Sequence, residues 1–199
     1  PGLIPNDPFY KVQSWNYTMV DLPRAWSTTT GSSAVIVAVL DNGAVFFHNS
    51  IGAPGATAAT GGGNYRNDGY DFVSSSSTTL CASEGGLVVN NAGDGDGYDA
   101  DPSTPDDRDP DANGNPCGRS QLGSHGTHVA GTVGATGNDG FGVVGANWTV
   151  GIRPVRVLGI DGGSYFDIAQ GVLYASGLPA DNGAGGVLTP PAQPARVIN

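Results

Sequence analysis

Asp41 and the segment Gly123 to Gly131, which reads Gly-Ser-His-Gly-Thr-His-Val-Ala-Gly, hold residue types that can move protons. A carboxylate beside an imidazole fixes which ring nitrogen carries the proton and stabilises the charged ring. The other nitrogen can then act as general base and, later, as general acid. Asp41 follows directly on the apolar run Val35 to Leu40, and open α/β sheets gather their catalytic groups at the carboxyl ends of parallel strands. Taken alone, Asp41-Asn-Gly43 also reads as an ordinary turn. His125 opens a run of small residues with Ser124 as N-cap, so it would be held rigidly at a helix start. Gly126 leaves room beside it for a substrate backbone. His125 and His128 lie i and i+3 on one helix face, where a zinc pair is conceivable. No glutamate lies between or just after them, and His48 is the only further histidine. Two bystander histidines are the plain alternative.

A second group of residues could hold a cation. In Asp94-Gly-Asp-Gly-Tyr-Asp-Ala-Asp101, Asp94, Asp96, Asp99 and Asp101 recur at near-alternate positions with glycines between them, a pattern that can wrap a hard ion such as Ca²⁺. It is not an EF-hand, because no glutamate closes a twelve-residue loop and the flanks are not helical. The acidic run continues through Asp106, Asp107, Asp109 and Asp111, opposed only by Arg108. A solvated acidic surface loop is the competing reading. Cys81 and Cys117 flank this stretch and suit a disulfide closing it in an oxidising compartment. Two unrelated thiols remain open, since two cysteines carry no spacing code.

The elements that must position these groups follow an alternating pattern. A short helix is expected over Leu22 to Ser27, after an irregular arm. Ala34 to Leu40 is a continuous apolar run of the kind buried on both faces of a parallel sheet. Gly52 to Asn64 and the polar patch Ser74 to Thr79 read as loops. His125 to Ala135 reads as a helix, Ile152 to Leu158 as a strand, Tyr165 to Ser176 as an amphipathic helix, and Ala195 to Asn199 as the start of a third strand. This order predicts an α/β, doubly wound, mostly parallel sheet flanked by helices. The 199 residues suffice for one domain. A net charge of −10 disfavours nucleic-acid phosphates and anionic lipid as partners. No apolar run reaches the ~18 residues of a membrane span. The chain opens at Pro1 without methionine, which suits a mature terminus of a secreted protein.

Asp41 followed far downstream by His-Gly-Thr-His-Val-Ala-Gly resembles the subtilisin-like serine proteases, or subtilases, whose triad runs Asp, His, Ser in chain order. Pro5 to Tyr10 and Pro23 to Trp26 are similar to that family's N-terminal arm and first helix. Val37 to Gly43 is similar to its aspartate motif, with Asn42 where threonine or serine is usual. Gly142 to Ala146, Val155 to Gly159 and Ala195 to Asn199 continue the likeness. It implies that residues 1–199 are the N-terminal part of a single peptidase domain, with 94–115 as an acidic insertion loop. His125 would be the general base and Asp41 its partner. The nucleophilic serine would lie beyond Asn199, so this segment alone is expected to be inactive and to need its C-terminal remainder, covalent or as a nicked chain. Leu158, Gly162 and Tyr165 would bind substrate. One Ca²⁺ would tie Asp7 to Asp139 and to carbonyls near Gly137, Phe141 and Val143, although the family's further aspartate is Ser50 here. Substrates would be proteins or peptides. A catalytically dead subtilase serving as a calcium-stabilised binding module is the alternative.

Overall fold

β1, Gly31–Asp41, sends successive side chains to opposite faces of a sheet, and both faces are covered. Val37 and Val39 pack on one side with Phe46, Tyr65, Ala130 and Ile152. Ala38 and Leu40 pack on the other with Phe72, Val155, Tyr174 and Ala175. Burial on both faces explains why the run is apolar throughout and does not alternate. The structure, a computed structural model, describes residues 2–80, 87–104, 125–160 and 162–199.

The elements follow in chain order: α1 Tyr10–Met19, α2 Leu22–Trp26, β1, β2 Tyr70–Asp71, β3 Ser77–Leu80, β4 Leu87–Asn90, α3 His125–Gly134, β5 Thr149–Arg156, α4 Tyr165–Ala175, β6 Ala180–Asp181, β7 Val187–Leu188 and β8 Val197–Ile198. The main sheet has the order β2-β5-β1-β8, and all its pairings are parallel. The β1–β5 crossover carries α3 on one face, and the β5–β8 crossover carries α4 on the other. The chain therefore turns to opposite sides of β1, and the carboxyl end of β1 lies where such a sheet opens a crevice. This is the α/β architecture expected from the sequence.

α3 can approach the sheet closely because of its glycines. A Cβ on Gly134 would fall 2.4 Å from Val150 Cγ1 and 3.2 Å from Ile152 Cδ1. Gly134, which weakens α3 as an isolated helix, thus seats it on β5.

Two local expectations need correction. The arm is not irregular: α1 forms because Tyr10 and Tyr17 bury against Trp26 and Trp148, and Gln13 bonds the backbone N–H and C=O of Val144. The polar patch from Ser74 is not all loop, since its end pairs as β3 with β4 in an antiparallel hairpin. Gly52 to Asn64 contains no helix or strand, as expected.

Candidate active site

Asp41 is the last residue of β1 and His125 the first of α3, so one crossover brings both to the carboxyl edge of the sheet. The His125 Nδ1 lies 2.8 Å from Asp41 Oδ1 and 2.9 Å from Oδ2. A carboxylate at Nδ1 holds the proton on that nitrogen and leaves the lone pair on Nε2. The Asn42 N–H donates to Asp41 Oδ1 at 2.8 Å, fixing the carboxylate's rotation. The Asp41 carbonyl accepts from the N–H groups of Val157 and Leu158, so the end of β5 is locked beside it.

The two partners differ in exposure. The Asp41 side chain is 9% exposed and that of His125 is 63% exposed. A buried acceptor holding an exposed imidazole can orient the ring, while its far side meets a reactant. A Cβ on Gly126 would lie 2.3 Å from the Gly43 carbonyl oxygen and 3.0 Å from Asp41 Cβ. Only a glycine lets the helix start come so near the strand end.

The other predicted site residues distribute around this pair. Leu158 is half-buried just past β5. Gly162 is exposed and bonds back to Gly159 through both backbone groups, at 2.9 and 3.2 Å. Tyr165 stands 95% exposed at the start of α4. All three lie beyond the carboxyl end of β5, on the rim that carries Asp41. His128 is exposed and, with Phe9, Phe47 and Phe141, lines a groove of about 790 Å³.

The arm and the loop after α3 bring Asp7 and Asp139 together. Asp7 is buried; its Oδ2 accepts from the Asn138 N–H at 2.7 Å, and its Oδ1 has no hydrogen-bond partner. Burial, and then the neighbouring Asp139, push the Asp7 carboxyl above its ordinary range. Two carboxylates in contact, one with an orphaned buried oxygen, fit a hard cation. Gly137, Phe141 and Val143 belong to the same loop, and Ser50 packs on it at Gly142.

The acidic stretch behaves differently. Arg156 pairs with both Asp71 and Asp94. The Asp94 Oδ1 accepts from the Asp96 N–H, Asp99 from Asp101, and Asp101 from Ser103. Among the described residues, no group of three or more acidic, histidine or cysteine side chains converges to hold a metal. Cys81, Cys117, Ser124, Asp106, Asp107, Asp109 and Asp111 lie outside the described residues.

Sequence reasoning missed the buried arginines. Arg153 and Arg156, in β5, are 0% and 1% exposed. Arg153 donates to Asp68 at 2.7 Å and to the Gln193 carbonyl, and Asp68 also receives Arg66. Burial would raise the Asp68 carboxyl, but Arg66 and Arg153 outweigh it and hold it down at about 2. Burial pushes Asp71 up to about 7, with Arg156 pulling the other way. Half of the signal was in the sequence, which shows that two arginines inside an apolar strand need carboxylates, but not which ones.

The subtilase family model matches residues 32–199. This chain belongs to the subtilase family. An extracellular protease of Xanthomonas campestris pv. campestris is 36% identical over 90% of this chain and 26% of its own length. An extracellular basic protease of Dichelobacter nodosus is 33% identical over 100% of this chain and 29% of its own. A protease structure from Pseudoalteromonas arctica matches with a TM-score of 0.65 and 36% identity, over 98% of this chain and 49% of that one. The subtilase segment thus spans between a quarter and a third of the length of these curated relatives. No helix among the described residues is long and apolar enough to cross a membrane.

Proposed function

We propose that Asp41 and His125 form the acid–base half of a secreted serine endopeptidase, and that this chain is the N-terminal part of its peptidase domain. The contact between Asp41 and the His125 Nδ1 carries the reading. The nucleophilic serine is supplied by sequence beyond Asn199. His125 Nε2 takes the serine Oγ proton as Oγ bonds to the scissile carbonyl carbon. It then gives that proton to the leaving amine as the C–N bond breaks, and water repeats the cycle on the acyl-enzyme. Asp41 stabilises the imidazolium between these steps. Leu158, Gly162 and Tyr165 receive an extended peptide along the rim. The extracellular relatives support secretion and a protein or peptide substrate.

Asp7 and Asp139 would hold one Ca²⁺, with carbonyls of Gly137, Phe141 and Val143 completing it. Bound there, the ion neutralises two adjacent carboxylates and ties the arm to the loop. Of the aspartates of 94–101, Asp94 is engaged with Arg156, and Asp94, Asp99 and Asp101 accept from backbone N–H groups, so the proposal rests on Asp7 and Asp139.

The test is labelling by a serine-directed fluorophosphonate. The full-length gene product should label and cleave denatured protein, and His125→Ala should suppress both. Residues 1–199 alone should not label. Stoichiometric labelling of that segment would refute the assignment of the serine.

A further inference from the structure

Segment 41–45 is stitched to the first turn of α3 by three links in order. Asp41 holds the His125 ring at 2.8 Å. The Asn42 side-chain carbonyl accepts the Gly126 N–H at 2.8 Å. The Thr127 hydroxyl accepts the Val45 N–H at 2.9 Å. The middle link is the unusual one. A helix exposes its first N–H groups without partners, and they are normally capped by a side chain just before the helix in sequence. Here the Gly126 donor is met by a residue from the end of β1. Asn42 is itself 8% exposed, and its backbone N–H is the donor that orients the Asp41 carboxylate.

We propose that Asn42 is a positioning residue: it holds the carboxylate with its backbone and the start of the histidine helix with its side chain, and so sets the Asp41–His125 contact. This rests on the reading of that pair as a peptidase's acid–base half. The geometry accounts for asparagine at this place. The amide oxygen is one atom further from the backbone than a serine or threonine hydroxyl oxygen, and it spans the gap to a helix N–H. The close approach at Gly126 leaves that N–H facing the strand end. Among the described residues the Asn42 oxygen is the acceptor of the Gly126 N–H, and without it α3 could shift along the strand end. His125 is one residue away from that donor, so such a shift moves the ring directly.

The experiment compares Asn42→Ala and Asn42→Asp in the full-length gene product, with His125→Ala as control. Turnover is expressed per site titrated with fluorophosphonate, and the hydrogen-bonded Nδ1 proton of His125 is followed by NMR. Asn42→Ala should lower kcat about tenfold to ~100-fold, the range of a sub-ångström to ångström misplacement. KM should change by less than about twofold, and the Nδ1 resonance should broaden or vanish. Asn42→Asp keeps an acceptor in the same place and should recover the resonance and much of kcat. Parental kcat and resonance in Asn42→Ala would overturn the proposal, as would equal impairment of the two variants. If His125→Ala leaves turnover intact, the peptidase assignment fails instead, and the Nδ1 resonance in Asn42→Ala still tests the positioning role.

Discussion

At the residue scale, the pair depends on which atom faces which. Asp41 accepts from the imidazole Nδ1 and from a backbone N–H, and an amide in its place would offer the ring an N–H as readily as an oxygen. In the full-length gene product, Asp41→Asn should therefore lower kcat by about 10⁴-fold with the fold retained, as expected when the ring takes the wrong tautomer. Steady-state kinetics with circular dichroism on the same samples would check this; a loss under tenfold would deny Asp41 its role. The aspartate was legible because it terminates an apolar run. The role of Asn42 was not, because its partner, Gly126, lies on another element.

At the scale of elements, α1 shows where periodicity misleads. Its hydrophobic residues Val12, Trp15 and Met19 are exposed, while the face that packs inward carries Tyr10, Gln13 and Tyr17. A polar residue at the centre of the buried face hid the helix from a sequence reading. The Tyr17 hydroxyl donates to the Val144 carbonyl at 2.6 Å, and Gln13 donates to the same oxygen at 3.0 Å. Tyr17→Phe leaves that oxygen one donor, so it should cost about 1 kcal/mol and no more, read from the denaturant midpoint. Gly134→Ala tests how α3 is seated on the sheet. Alanine favours a helix by roughly 1 kcal/mol, but its methyl would press on Val150 in a buried strand, and overpacking typically costs ~1–3 kcal/mol. Net destabilisation is expected, and a stabilised variant would show that α3 is free to move off the sheet.

At the scale of the whole molecule, charge sets the response to pH and, if Asp7 and Asp139 hold the proposed ion, to calcium. Asp68 is held down at about 2 by Arg66 and Arg153. A carboxylate whose folded value is depressed stabilises above its unfolded value, and this is lost as pH falls through the folded one. About 2 kcal/mol should disappear between about pH 4 and pH 2, and Asp68→Asn should flatten that slope. Asp7 and Asp71 are shifted upward, chiefly by burial. Their sign is reversed: the folded state binds protons more tightly, so stability falls as pH rises through their folded values. In chelator, the melting temperature should therefore decline from pH 5 to pH 8. Calcium at ~100 times its Kd should restore roughly 5–10 °C. Asp7→Asn should abolish that gain, and an unchanged melting temperature after exhaustive chelation would remove the site.

The order of elements, the buried central strand and the two residues of the Asp41–His125 contact are written in the sequence, because burial on both faces demands an unbroken apolar run and a specific motif surrounds His125. Local pattern also marked the acidic stretch, but only the fold decided what its carboxylates do. Arg156, at the end of β5, pairs with Asp94, so an aspartate that alternates with glycine like a calcium ligand also meets a buried guanidinium. The same holds for Asp7, whose orphaned oxygen exists only because the arm folds onto the loop after α3. Such pairings join residues far apart in the chain, and a buried charge is satisfied by whatever tertiary packing delivers, which no spacing in the sequence encodes.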